Sequence, residues 1–375
     1  MKAVKRLSWL LVFGYGLLGS SLYAAVSGAA VMKAKKEAEA KGYVFFAGRD
    51  EIVAKAQKEG RLRVISSMEP ETAKASVAAF KKKYPFIDLH IQTRTGSESA
   101  QQLVLQVKSG VASKEWDIVS TSSDHVSEYV PHLWKVDLQG MAENGILQIP
   151  HEMIDPTQRN IAAFHSRFQV LAYNKNLIPP AQAPKVWEDL LKPEFKGRKF
   201  SLDIRPGGLA TLVPVWGLEK TLDFARKLAV QQPIWVRGDP RALTGMLAGE
   251  IPMMVAANFH DLKRAQKRDP SGVLQYVILE PVPFRLALAQ SILAKAENPH
   301  AGLLWFDWLA TVEAQRIADE HEPMASAVYV RGGAVEQELR GKKLSVVPWD
   351  GYQNLQSWSG KIFEAYGFPK AEIKR

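Results

Sequence analysis

VWEDLLKPEFKGRKFSLDIRPGG, residues 186 to 208, sets out in order a short helix, a proline, a Lys-Gly-Arg corner, a strand and a double glycine. Trp187, Leu190 and Leu191 are expected to pin the helix to a core, each apolar side chain contributing roughly 1.5 to 3 kcal/mol if fully buried. Pro193 then stops the helix, and Gly197 permits a tight corner. The strand KFSLD aims Asp203, Arg205, Gly207 and Gly208 at the space beyond its end, where a Gly-Gly helix start brings backbone N–H groups close to a ligand.

Upstream, the same grammar recurs. RLRVISS (61 to 67), FIDLHIQTRTGS (86 to 97) and WDIVSTSSDH (116 to 125) read as strands running into hydroxyl-rich loops, and ETAKASVAAFKKKYP and ESAQQLVLQVKSG read as helices, the latter closed by Gly110. An earlier helix starts near Asp50 and stops at Gly60. Successive β-loop-α units imply an α/β fold with a mostly parallel sheet flanked by helices. In such sheets ligands sit beyond the carboxyl ends of the strands. The loops there carry Ser66 and Ser67, then Thr95, Gly96 and Ser97, then Ser120, Thr121, Ser122 and Ser123; capping of the next helix is the competing role for each hydroxyl.

The strand at 162 to 176 leaves this unit, and LIPPAQAP (177 to 184) is a Pro-rich connector. The second half contains KFSLDIRPGG, PIWVRGDPRALTGMLAGE and IPMMVAANFHDLKRA, and residues 277 to 320 offer a long strand and an amphipathic helix. A lobe boundary lies near this connector; the expected division is lobe 1 at 61–166 plus 286–336 and lobe 2 at 167–285 plus 337–375, after a stem and helix at 31–60.

The N-terminus has Lys2, Lys5 and Arg6 ahead of the uncharged run 7–32, which ends in small residues at Ser27, Ala29 and Ala30. That is the pattern of a signal peptide over 1–30; the alternative is an uncleaved anchor over 7–32, long enough to span a bilayer of roughly 30 Å. With no cysteine, neither disulfides nor a lipidated N-terminal cysteine is available, which favours a periplasmic protein. Without residues 1–30 the chain keeps 46 basic against 39 acidic residues. Its densest basic run, KKKYP (81 to 85), closes a helix, where cations complement the dipole, so no nucleic-acid partner is expected.

The opening stretch resembles the W-x-D-L-x-x-P-x-x-K-G signature of the solute-binding proteins of ABC importers, nearest to the iron(III), thiamine, polyamine and phosphonate binders. YNKNL (173 to 177), MLAGEIPMMVA and AENPHAGLLWFDWLATVEAQRIADE are similar to further stretches of that family, so the resemblance runs from about Asp50 to Asp319. It implies the two-lobed type 2 periplasmic binding fold with a ligand cleft between lobes, a small-molecule solute, an ABC permease as partner, a monomer and no enzymatic activity. Two departures stand out. Val186 replaces the usual Ser or Thr cap, which moves the expected helix start to Pro184. The members that bind iron(III) through phenolates have adjacent tyrosines late in the chain, whereas here no Tyr-Tyr pair exists and Tyr329 stands alone.

The residues themselves offer no H-E-x-x-H, G-x-S-x-G, P-loop or G-x-G-x-x-G motif, and neither a metal nor a cofactor is expected. Cleft-facing candidates are instead cations, Arg94, Arg205, Arg237 and Arg285, since Arg pairs with carboxylate or phosphate through two parallel hydrogen bonds. A solvated or interlobe salt-bridge role competes for each, and Arg205 is favoured. Asn258 in NFH is a further candidate donor, with Phe259 as its cover, unless Asn258 caps the next helix and Phe259 is core. Few acidic residues, Asp124 and Asp203, are placed to hold a polyamine. The expected solute is therefore a small organic anion; an iron(III) or polyamine binder, a two-lobed enzyme and a membrane-anchored sensor are the alternatives.

Overall fold

In the computed structural model, which describes residues 28–94, 97–121 and 126–368, the strands form a ten-stranded sheet. They are β1 (Arg61–Ser66), β2 (Asp88–Thr93), β3 (Ile118–Ser120), β4 (Ala162–Asn174), β5 (Ser201–Asp203), β6 (Ile234–Val236), β7 (Met253–Asn258), β8 (Leu274–Val277), β9 (Val282–Ile292) and β10 (Leu344–Val346). The order is β2-β1-β3-β9-β4-β7-β5-β6, with β10 beside β9 and β8 beside β4. Each end of this array is parallel, β1 with β2 and β3, and β5 with β6 and β7. Its middle is the antiparallel pair β4 and β9.

That central pair makes the molecule two-lobed. β4 pairs with β9 from Ala162 to Phe168 and with β7 from Gln169 onward, so one thirteen-residue strand serves both sheets. A strand buried on both faces reads as a continuous apolar run, as in AAFHSRFQVLAYN, where twelve of the residues are buried and only Arg167 is partly exposed.

Helices α1 (Gly28–Ala40), α2 (Arg49–Glu59), α3 (Pro70–Lys83) and α4 (Ser97–Lys108) lie in the first half. Glu59, the last residue of α2, accepts from the backbone N of Ala301 at 2.7 Å and so satisfies an orphan donor at the start of helix Pro299–Leu309. The predicted single helix at the end of 277–320 is two helices, Pro299–Leu309 and Val312–His321, the second capped by the Thr311 side chain. The first is not amphipathic: every residue from Ala301 to Leu309 is buried, Trp305 and Trp308 meeting Phe80 edge-on at 5.3 and 5.6 Å. A helix buried on every side belongs inside a core, its buried Asp307 being paired with Arg49.

In the second half, Trp187 is 1% exposed, donates its indole N–H to the Pro281 carbonyl at 3.1 Å and meets Trp216 edge-on. The signature helix begins at Trp187, not Pro184, and is 3₁₀ over Trp187–Leu191. The reason is Asp189, whose carboxylate reaches back to accept from the N–H groups of Lys185 and Val186, at 2.8 and 3.1 Å, and so ties the entering chain to the first turn with no Ser or Thr side chain at Val186. Gly197 and Arg198 both take positive φ, 79° and 67°, and bond to Gln231 and Gln232 to turn the chain into β5.

Candidate functional site

Beyond the carboxyl ends of β1 and β3, against β9, lies a cavity of about 570 Å³. Ser66 is fully buried, and its Oγ accepts from Met68 N and from Gln290 Nε2, each at 3.2 Å, while Trp305 Nε1 donates to Gln290 Oε1 at 3.0 Å. This chain of bonds fixes the β1 loop from the core outward. Ser67 donates its backbone N–H to Ser120 Oγ at 3.0 Å, tying the β1 loop to the β3 loop. Thr121 is 95% buried, lines the cavity, and its Oγ1 has no hydrogen-bond partner among the described residues. An unsatisfied buried hydroxyl costs about 1 to 3 kcal/mol.

Two arginines line this space. Arg94, at the end of β2, donates to the neutral Gln106 side chain at 3.1 Å. Arg285 projects from β9 at the register position opposite Arg167. Arg167 is paired with Glu322 at 3.2 Å; Arg285 has no carboxylate partner among the described residues. Of the cavity's own carboxylates, Asp155 is buried and accepts from the N–H groups of Thr157 and Gln158, at 2.8 and 3.1 Å, and Asp350 is exposed. Neither neutralises a guanidinium.

The structure therefore brings together Ser66, Ser67, Arg94, Thr121 and Arg285 of the expected site residues. Thr95, Gly96 and Ser122 lie outside the described residues, and Ser97 opens α4. The second-half candidates do not line this cavity. Asp203 accepts from the N–H groups of Arg205 and Gly238, and the Arg205 side chain, 62% exposed, pairs with Asp203 at 3.4 Å. Gly207 and Gly208 begin a helix of only four residues, too short for a sizeable dipole, and a Cβ on Gly208 would lie 2.9 Å from that of Ala256, so close packing explains that glycine. Arg237 is exposed. Asn258 caps helix Phe259–Gln266 by accepting from His260 N at 3.2 Å, and Phe259 is fully buried, which is the structural pair of roles that the sequence left open.

Other lining residues carried no sequence signal. Thr157 and Gln158 come from a loop before β4, and Trp349, Tyr352 and Gln353 from a 3₁₀ segment near the C-terminus. The first follows no strand end, and the second follows β10, a strand of only three residues that the β-loop-α reading did not include.

Residues 66–316 match the model of a family described as bacterial extracellular solute-binding protein. The chain belongs to that family. A curated relative, an uncharacterized protein of Haemophilus influenzae, is 28% identical over 142 residues, 36% of this chain and 40% of that protein, so the match spans less than half of the relative's length. Among solved structures, the ferric binding protein from Campylobacter jejuni is 18% identical with a TM-score of 0.62, covering 82% of this chain and all of that one. A Trichodesmium IdiA (FutA) protein in complex with iron and citrate is 19% identical, TM-score 0.62, covering 83% of this chain and all of its own. A Bordetella ferric binding protein is 15% identical, TM-score 0.66, covering 82% and 99%. At these identities the likeness is one of fold: the type 2, two-lobed solute-binding architecture. The matched family and structures are binding proteins rather than enzymes.

Proposed function

We propose that this solute-binding protein captures a small organic anion between its lobes and delivers it, as an exported monomer, to the permease of an ABC importer. The observation that carries the anion is Arg285, a cavity-lining guanidinium with no carboxylate partner among the described residues. Arg94, bonded among the described residues to a neutral amide, adds a further donor. The lobes run over 61–166 plus 286–336 and 167–285 plus 337–375; the handover of β4 from β9 to β7 at Phe168 and Gln169 supports that division. Moving a lobe equilibrium from 1:99 to 99:1 takes about 5.5 kcal/mol of differential affinity, within reach of a few charge-assisted hydrogen bonds of roughly 1.5 to 3 kcal/mol each.

The names of the matched structures favour a second reading, a ferric binder. Against it, Tyr329 does not line the cavity and packs between two apolar clusters, where burial raises its phenol above the usual range and so disfavours the phenolate. Among the described residues no three His, Asp or Glu side chains are grouped to hold a metal ion. A thermal-shift screen separates the readings. Phosphonates, sugar phosphates or carboxylates are expected to raise the melting temperature, and iron(III) and spermidine are not. Stabilisation by ferric ion that is lost in Tyr329→Phe would overturn the anion assignment.

A further inference from the structure

The cavity wall is not polar throughout. Ile65, Leu103, Val126, Val130, Ala289 and Trp349 all line it, and all belong to or pack against one apolar cluster beneath it. Ile65 and Leu103 are buried, while Val126, Val130, Ala289 and Trp349 keep part of their surface open. Trp349 reaches the cavity from the C-terminal segment, held by its indole N–H on the Glu152 carbonyl at 3.3 Å, and also packs against the apolar cluster around Phe284, Leu286 and Tyr352. One cavity thus offers two chemistries, an arginine with no carboxylate partner among the described residues, and a continuous aliphatic and indole surface.

We propose that the solute is amphipathic: a carboxylate or phosphonate head carrying an aromatic or branched apolar body. This rests on the anion reading above and narrows it. An inorganic anion or a sugar phosphate satisfies the guanidinium but leaves the apolar wall with nothing to cover it, and setting sugar hydroxyls against that wall strips their water without replacing their hydrogen bonds. An apolar body removes both the wall and itself from water. The volume of about 570 Å³ suits an organic molecule with such a body rather than a lone oxyanion.

The test is calorimetric titration of the purified protein with matched probes: methylphosphonate and phenylphosphonate, acetate and benzoate, with benzyl alcohol as the uncharged control. In at least one pair the aromatic member should bind about ten- to a hundredfold more tightly, the range for taking one ring out of water. Val130→Ser should shrink that ratio while leaving the affinity for the small member of the pair unchanged; if this variant fails to fold, Val126→Ser serves the same purpose. Equal affinities within both pairs, or a ratio that neither variant moves, would overturn the amphipathic assignment and leave the anion reading standing. Benzyl alcohol binding as tightly as the aromatic anions would instead overturn the anion reading itself. No binding by either aromatic anion would also refute the proposal.

Discussion

Arg205 and Arg285 are the same residue type in the same protein, yet the fold puts them in opposite circumstances. Arg205 is mostly exposed and folds back on Asp203, where water screens the pair. Arg285 stands partly buried on the strand shared by the lobes, beside a cavity and without a counter-ion among the described residues. Sequence alone favoured Arg205 because it precedes a double glycine; what it does not display is that Gly208 exists for the close approach of Ala256. Truncating a charged partner of a desolvated contact costs about 2 to 5 kcal/mol. Arg285→Ala should therefore weaken organic-anion binding at least tenfold, and Arg205→Ala should change it far less, both with an unaltered melting temperature of the free protein. The reverse ranking in a titration would move the site to the loop after β5.

At the scale of elements, those that were legible in the sequence are the ones whose surroundings repeat. β1 and β3 each run on into a hydroxyl residue beside the cavity, Ser67 after β1 and Thr121 after β3, so the positions of Ser66, Ser67 and Thr121 followed from topology alone. Helix Pro299–Leu309 was misread because a helix enclosed on every side has no polar stripe, and Trp349 was missed because β10 before it is only three residues long. The signature helix was legible in purpose if not in its start. Trp187→Ala removes a side chain packed against Trp216 and Phe224 and should destabilise the fold by about 3 to 5 kcal/mol, seen in denaturant unfolding, while the folded fraction keeps its ligand preference.

Two titrating groups on neighbouring elements act in opposition. Burial raises the Asp239 carboxyl to about 6, Asp261 and Asp203 adding to the effect, while the Asn258 N–H opposes it. Burial lowers the His165 imidazole to about 4 despite the nearby Glu322. Between about 4 and 6 the folded state holds a proton on Asp239 that the unfolded chain has released, so this contribution to stability is present at low pH and is lost as the pH rises through 6. His165 works the other way: unfolded chains take up a proton near 6.5 that the folded state refuses, and stability is lost as pH falls from 6.5 toward 4. The two slopes partly cancel. Asp239→Asn keeps an acceptor for the Asn258 N–H and removes one slope, so unfolding free energy should rise with pH between about 4 and 6.5 more steeply than in the parent, with a gain of up to about 3 kcal/mol at neutral pH. An unchanged pH profile would show that Asp239 titrates normally.

For the whole molecule, what matters is what holds the lobes at their present separation. Arg264, on helix Phe259–Gln266, pairs at 3.2 Å with Glu69 at the start of α3. The backbone N of Glu69 donates to Glu322 at 3.0 Å, and Glu322 also accepts from Arg167 on β4, so the tie runs from one lobe through the crossing strand to the other. His260 adds a second link, its Nδ1–H to the Pro323 carbonyl at 2.8 Å. The His260 link is buried and unscreened, whereas the Arg264–Glu69 side chains are about a third exposed, and pairs of that kind contribute about 0 to 1 kcal/mol. Arg264→Ala should thus shift the lobe equilibrium of the free protein by about fivefold at most, and the same shift should appear in the parent at high salt, where the pair is screened. Small-angle scattering reads this directly: the free variant should have a larger radius of gyration than the free parent, and saturating solute should bring the two together because ligand contacts then dominate closure. Identical radii with and without Arg264, at low salt and high, would leave the hinge pair β4 and β9 as what sets the opening.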